Sequence, residues 1–129
     1  MVILPEKRGP FPVFYLFHSL SDDHTAWVRR TSIERYVEKL PLLVVMPGGP
    51  EDVFALAERA DKSTLPALRI DCGLDDFLLQ DNRRFHQHLE KLGIAHEYAE
   101  HPDEHNWEYW DLHVQEAIAF FARVLGIKE

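Results

Sequence analysis

Short apolar runs alternate along this chain with longer segments in which apolar residues recur at helical spacing. Residues 13–17 and 42–46 are almost entirely aliphatic or aromatic, which is typical of strands buried on both faces. Residues 65–70 and 94–99 predict two further strands, and residues 2–4, closed by a proline, predict a short edge strand. The pattern therefore predicts about five strands.

Helices are predicted in the intervals between these strands. In residues 81–92 the apolar side chains of Phe85, Leu89 and Leu92 share one face, and Gly93 ends the helix. The other predicted helices are residues 32–39, 51–60 and 107–125, while residues 18–26 are predicted as a loop. Strands that alternate with helices build an α/β fold, here a mostly parallel sheet with helices on both faces.

Composition and charge narrow the class of protein. A length of 129 residues fits one domain, so residues 1–129 are expected to form a single minimal domain. The net charge of −8, with no Lys/Arg run longer than two, argues against nucleic acid or an anionic membrane as a partner. The one cysteine excludes an internal disulfide, no apolar run approaches the roughly 18 residues of a membrane span, and the N-terminus does not resemble a signal peptide. We therefore expect a cytoplasmic protein.

An acid and a base follow two of the predicted strands. Asp76 comes shortly after residues 65–70, and His105 comes shortly after residues 94–99. Ligand sites in parallel sheets lie at the carboxyl ends of strands, where these two side chains would meet. A buried carboxylate beside an imidazole fixes the tautomer of the ring and stabilises the imidazolium, as general-base catalysis requires. A purely structural hydrogen bond between the two side chains is the alternative.

Three segments of the chain resemble one family of enzymes. They are residues 14–27 (FYLFHSLSDDHTAW), residues 71–76 (DCGLDD) and residues 104–110 (EHNWEYW). Together they are similar to the esterase D family of the α/β-hydrolase superfamily, which includes S-formylglutathione hydrolases, feruloyl esterases and acetyl-ester hydrolases. The resemblance runs over nearly the whole chain. It implies a shortened α/β-hydrolase fold and the hydrolysis of carboxylic esters.

The resemblance also implies roles for individual residues. His105 takes the position of the general base, and Asp76 takes the position of the acid that orients it. The loop that carries His18 and Leu20 takes the position of the oxyanion hole, with the backbone N–H near Leu20 as one donor. Apart from the resemblance, Trp27, Trp107 and Trp110 are candidates to line an acyl pocket, and packing in the core is the alternative for these side chains.

The chain departs from the family in the part that carries the nucleophile. No Gly-x-Ser-x-Gly motif occurs, and the central segment that holds this motif in the family is missing between residue 46 and the helix predicted at residues 51–60. Two family glycines are also replaced. Ser19 stands in the oxyanion-type loop, and Asp103 stands two residues before the histidine.

The identity of the nucleophile is left open among four groups. Ser19 and Ser21 lie on the oxyanion-type loop, where hydrogen bonding within the loop is the alternative role. Cys72 would be nucleophilic as a thiolate, but a small buried core residue is the alternative. A water molecule activated by His105 would need no protein nucleophile.

No metal or other cofactor is expected. The 8 histidines lack ligand-type spacing, since His86 and His88 are two apart on a predicted helix and point in different directions. Nucleotide-binding glycine motifs are absent from the sequence.

The expected function is hydrolysis of a small-molecule ester with a short-chain or activated acyl group. The alternatives are a catalytically inactive esterase remnant acting as a binding or interaction module, and a small-molecule binding protein. A compact monomer with one five-stranded sheet is expected, and a homodimer formed through exposed strand edges is the alternative.

Overall fold

The structure, a computed structural model, describes residues 1–5, 11–16, 23–46 and 53–128. The chain divides into two compact units, a first unit of Met1–Pro50 and Trp110–Glu129 and a second unit of Glu51–Tyr109. Within the described ranges, no helix combines the length and the apolar character needed to cross a membrane. The single domain expected for residues 1–129 stays a prediction.

Strands and helices alternate along the described part of the chain. In chain order they are β1 (Val2–Ile3), β2 (Val13–Tyr15), α1 (Ala26–Arg30), α2 (Ile33–Val37), β3 (Leu43–Val45), α3 (Val53–Arg59), β4 (Arg69–Gly73), α4 (Leu79–Leu92), β5 (Glu97–His101) and α5 (Trp107–Val124). The helix α1 was not predicted. It begins where residues 18–26 predict a loop, because Ala26 and Trp27 are buried and Asp23 accepts the backbone N–H of Thr25 just before the helix.

The first unit contains a three-stranded sheet. Its order is β1-β3-β2, with β1 antiparallel and β2 parallel to β3. Phe14 lies opposite Val44 in the register, and both side chains are buried. Parallel pairing predominates, as predicted, because β4 and β5 of the second unit are parallel as well. Among the described residues, however, the strands form two sheets rather than one ladder.

Helix α5 supplies the first unit with both an apolar and a polar contact. The ring of Phe121 packs against Phe14 with the centroids 4.6 Å apart. Asp111 accepts hydrogen bonds from the backbone N–H of Ser32 at 2.7 Å and from the hydroxyl of Tyr36 at 3.0 Å. A carboxylate at the start of α2 compensates for unpaired backbone N–H groups of the first helical turn. Asp111 therefore holds α5 against α2.

The second unit is built around a β-α-β arrangement. Strands β4 and β5 pair in parallel, with Arg69 opposite Glu97 and Gly73 opposite His101. Helix α4 connects them, as a parallel pair requires. It ends at Gly93, which has φ of 71° and donates its N–H to the carbonyl of Glu90. A left-handed residue at this position favours glycine, as the sequence pattern predicts.

Both strands of the second unit run further than the apolar pattern predicts. The predicted strands end at residues 70 and 99, whereas the pairing continues to Gly73 and His101. The added positions include charged residues whose partners lie within the unit, since Arg69 is 2.6 Å from Asp71 and Arg83 donates two hydrogen bonds to Glu100 at 2.7 and 2.9 Å. Residues 65–68 lie outside β4, consistent with the missing backbone N–H of a proline in that stretch.

The carboxylate of Glu100 contributes to the stability of the second unit, and this contribution is lost at acid pH. Hydrogen bonds from Arg83 and from the Tyr98 hydroxyl lower the pKa of Glu100 from 4.5 to about 2. A carboxylate whose pKa is depressed by folding contributes its full stability above pH 4.5, and this contribution decreases as the pH falls towards 2. We therefore expect Glu100→Gln to lower the free energy of unfolding at neutral pH, and to lower it by a smaller amount at acid pH.

Urea unfolding of the wild type and of Glu100→Gln at about pH 7 and about pH 3 measures this difference. The gap between the two unfolding midpoints should narrow at the lower pH. Glu34→Gln changes an exposed glutamate of α2 and is the matched control. A gap of the same size at both pH values would show that ionised Glu100 does not stabilise the fold.

Candidate active site

The structure brings His105 and Asp76 into direct contact. Asp76 follows β4 and His105 follows β5, so the two side chains extend from the carboxyl ends of neighbouring parallel strands. The Nδ1 atom of His105 lies 2.8 Å from Oδ2 of Asp76. With a carboxylate as acceptor, Nδ1 carries the proton, and Nε2 of the neutral ring is the atom with a lone pair. This is the arrangement of a histidine general base and its orienting acid.

The backbone around Asp76 fixes the direction of its carboxylate. Oδ1 accepts the backbone N–H of Leu78 at 2.8 Å, which leaves Oδ2 for the histidine. The Asp76 backbone N–H in turn donates to the carbonyl of Gly73 at 3.2 Å. The Asp76 side chain is only 6% exposed, against 20% for that of His105. The imidazole of His105 is therefore more accessible to solvent than the carboxylate of Asp76.

Gly73 allows the loop that carries His105 to approach the end of β4. The backbone N–H of Asp75 donates to the carbonyl of Asp103 at 3.1 Å, which ties the two loops together. A Cβ atom on Gly73 would lie 2.3 Å from that same carbonyl oxygen. The absence of a side chain at Gly73 is thus a condition for the contact between the two loops.

Asp103 occupies a backbone conformation that favours glycine. Its φ is 108°, in a region that non-glycine residues rarely adopt. Its Oδ1 accepts the backbone N–H of Glu104 at 2.8 Å and the amide of Asn106 at 3.3 Å, and these bonds partly offset the strain. The sequence resemblance places a family glycine at this position, and the observed φ explains why glycine suits it.

Two residues that the sequence analysis did not single out hold the first turn of α5 in place. The side chain of Asn106 accepts the backbone N–H of Tyr109 at 2.8 Å, which caps the helix directly after His105. The buried Tyr109 donates its hydroxyl to Asp71 of β4 at 3.1 Å. An asparagine immediately before the predicted helix was the available signal for the cap. No sequence signal pointed to the partner of Tyr109.

Phe77 lies beside the pair formed by His105 and Asp76, and it is the third residue of the site that the sequence analysis did not single out. It follows Asp76 directly, and its ring centroid lies 4.7 Å from that of the His105 imidazole. Phe77 is nevertheless 72% exposed. An apolar residue in the turn after a candidate acid was the signal that sequence reasoning could have used.

Cys72 is a poor candidate for the nucleophile. It is buried in β4, and burial together with the nearby charge of Asp76 raises the pKa of its thiol from 9.0 to about 12. The thiolate is the nucleophilic form of cysteine, and this environment suppresses it at neutral pH. Core packing, the alternative considered for Cys72, agrees with its position.

Only some of the remaining predicted site residues belong to the described part of the chain. His18, Ser19, Leu20 and Ser21 lie outside the described residues, so their roles stay predictions. Trp107 is half-buried in the first turn of α5. Its role in lining a substrate pocket also stays a prediction.

The two histidines of α4 contact different groups, as their spacing predicts. His86 Nδ1 lies 2.7 Å from Nε2 of His96, whereas His88 Nε2 lies 3.5 Å from a carboxylate oxygen of Glu58. The imidazoles of His86 and His88 therefore do not converge as two ligands of one metal ion would.

Comparison with known proteins finds esterases and hydrolases that are similar to this chain. No protein-family model matches the chain. A curated acetyl esterase from Caldicellulosiruptor saccharolyticus is 32% identical over 79 residues, which make up 60% of this chain and 30% of that protein. The matched part of this chain thus spans less than a third of the length of its curated relative.

Solved structures identify the fold. An S-formylglutathione hydrolase from Staphylococcus aureus superposes with a TM-score of 0.71 at 22% identity, covering 92% of this chain and 88% of the other. A fluorophosphonate-binding serine hydrolase F from the same organism superposes with a TM-score of 0.70 at 20% identity, and the match covers 92% of this chain and 90% of the other. A ferulic acid esterase superposes with a TM-score of 0.73 at 16% identity, and the match covers 95% of this chain and 91% of the other. The fold is a shortened α/β-hydrolase fold, which confirms the predicted fold class. Together with the acetyl esterase, these neighbours support the resemblance to the esterase D family.

Proposed function

We propose that this protein is a carboxylesterase-type hydrolase that acts on small-molecule esters with short-chain or activated acyl groups. The observation that carries the proposal is the 2.8 Å hydrogen bond between His105 Nδ1 and the buried Asp76 carboxylate. The acetyl esterase match supports the same class of reaction. His105 is assigned as the general base and Asp76 as the residue that orients it.

In the proposed reaction, Nε2 of His105 removes a proton from a hydroxyl group as its oxygen attacks the ester carbonyl carbon. Asp76 stabilises the imidazolium that forms, because its carboxylate accepts the Nδ1 proton at short range. The tetrahedral intermediate then collapses, the bond to the alcohol oxygen breaks, and His105 donates its proton to that oxygen. The backbone N–H of Leu20 and the loop at His18 are proposed to stabilise the negative charge on the carbonyl oxygen.

The attacking hydroxyl is proposed to belong to Ser19 or Ser21. An acyl-enzyme would then form, and water activated by the same histidine would release the acid. Direct attack by water is the simpler form of the same mechanism and leaves no covalent intermediate. The two forms differ in whether a serine of this loop becomes modified.

Hydrolysis of p-nitrophenyl acetate and butyrate tests the proposed activity, and labelling with a fluorophosphonate locates the nucleophile. We expect turnover above the buffer rate and an adduct on Ser19 or Ser21, found by mass spectrometry of the digested protein. Ser63→Ala is the control. Ser63 is an exposed serine that donates a hydrogen bond to Asp61, and its replacement should leave both turnover and labelling unchanged. Turnover without any adduct would favour water as the nucleophile. The absence of both would remove the proposed activity.

A non-catalytic role is the second candidate. It is favoured by the absence of a Gly-x-Ser-x-Gly motif and by the small part of the acetyl esterase that the chain matches. The protein would then be an esterase remnant that binds a small molecule or a partner. The cytoplasmic location and the homodimer stay predictions, and light scattering of the purified protein measures the second of these.

A further inference from the structure

We propose that Phe77 selects the alcohol part of the ester, so that esters of apolar or aromatic alcohols are preferred. This inference rests on the proposed function, since it assumes that His105 is the base. It adds a specificity-determining residue that neither the sequence pattern nor the comparisons single out. Its basis is the exposed phenyl ring beside the imidazole of His105.

The position of Phe77 is set by its neighbours in the chain. The residues on either side, Asp76 and Leu78, are joined by the hydrogen bond from the Leu78 N–H to the Asp76 carboxylate at 2.8 Å. The turn is therefore held in place by the same contacts that fix the acid. The Phe77 ring lies 4.7 Å from the imidazole, with the two ring planes inclined by 55°. The turn therefore keeps the Phe77 ring beside the imidazole of His105.

The exposure of Phe77 indicates a surface that a ligand can cover. A phenylalanine that is 72% exposed contributes little to the core. Leu74, in the same connection between β4 and α4, is also exposed. Apolar surface beside a few oriented polar groups is the usual composition of a small-molecule site. Covering Phe77 would remove apolar area from water and stabilise the complex.

The chemistry of the reaction determines which part of the ester meets Phe77. His105 must donate a proton to the leaving alcohol oxygen, so this oxygen is the ester atom that comes within hydrogen-bond distance of the imidazole. The carbon atoms attached to that oxygen then lie next to the imidazole, and the proposal places them against the Phe77 ring, whose centroid is 4.7 Å from that of the imidazole. The acyl group lies on the opposite side of the carbonyl carbon. The geometry therefore favours contact of Phe77 with the alcohol part.

Two acetate esters with different alcohols test the inference. Replacing Phe77 by alanine should lower kcat/KM for benzyl acetate about tenfold and change that for ethyl acetate by less than about twofold, which is the scale of a single apolar contact in a substrate site. The loss should be in KM, because the contact exists in both the bound ester and the transition state. Phe77→Trp should retain the preference. Leu56→Ala, an exposed apolar residue of α3, is the control.

An equal loss for both esters, or no loss for either, would overturn the role of Phe77 while leaving the activity intact. Unchanged turnover in His105→Ala would instead overturn the proposed role of His105 as the base, and the absence of turnover in the wild type would overturn the proposed activity. Titration with benzyl alcohol, followed by NMR of the His105 ring protons, tests Phe77 without turnover. We expect shifts in the wild type that are lost in Phe77→Ala and not produced by ethanol. Unshifted His105 resonances in the wild type would contradict the inference.

Discussion

Replacing His105 by alanine is expected to lower kcat/KM for p-nitrophenyl acetate by about 100- to 10,000-fold, the range that a general acid–base side chain contributes. The reason is that both proton transfers of the proposed reaction pass through Nε2 of this ring. Asp76→Asn should lower kcat as well, because a neutral amide does not stabilise the imidazolium as the carboxylate at 2.8 Å does. Steady-state rates of the purified variants measure both effects.

His88→Ala is the matched control for this prediction. His88 is a histidine of the same unit whose imidazole lies near Glu58 rather than near the pair. Its activity should remain within about twofold of the wild type, as expected for a residue outside the reaction. A rate for His105→Ala equal to that of the wild type, in a variant whose circular dichroism is unchanged, would contradict the role of His105 as base.

Replacing Gly73 by alanine is expected to destabilise the protein by about 3 kcal/mol, the upper part of the range for overpacking at a buried backbone contact. The added Cβ would lie 2.3 Å from the carbonyl oxygen of Asp103. Both partners in this clash are held by main-chain structure, so neither a rotamer change nor a side-chain shift relieves it. The loop that carries His105 must move, and esterase activity should fall together with stability. Urea unfolding and hydrolysis of p-nitrophenyl acetate measure the two effects.

Gly93→Ala separates the effect of space from the effect of backbone conformation. Gly93 has φ of 71°, but a Cβ there would meet only the end of the Lys62 side chain at 3.8 Å. Its replacement should cost about 1 kcal/mol, from the left-handed conformation alone. A loss of stability for Gly73→Ala no greater than that for Gly93→Ala would show that the β4 end and the Asp103 loop can separate at little cost.

The apolar pattern predicted the strand–helix alternation because buried strands and amphipathic helices have different periods. It predicted the ends of β4 and β5 poorly, since Asp71 and Glu100 look like residues outside a sheet. Their place in the strands depends on Tyr109 and Arg83, which are distant in the sequence. Pairwise contacts of this kind have no local signature.

The candidate site could be predicted only as far as the motifs reach. Asp76 and His105 were identified because each follows a strand within a recognisable family segment. The aspartate at position 103 does not itself indicate a φ of 108°, and the only sign of this conformation in the sequence was the glycine that the family has there. The proximity of Phe77 to the imidazole depends on the turn that the Leu78 N–H closes on Asp76. Such geometry becomes visible only in three dimensions.

The proposed acid and base lie 29 residues apart in the sequence. The glycine that admits the His105 loop, the backbone donor to Asp76 and the cap of α5 all lie between Gly73 and Tyr109. One continuous stretch of the second unit thus encodes the pair together with its described supports. A change elsewhere in the chain, including one in the loop of the proposed nucleophile, leaves every residue that makes these described contacts in place.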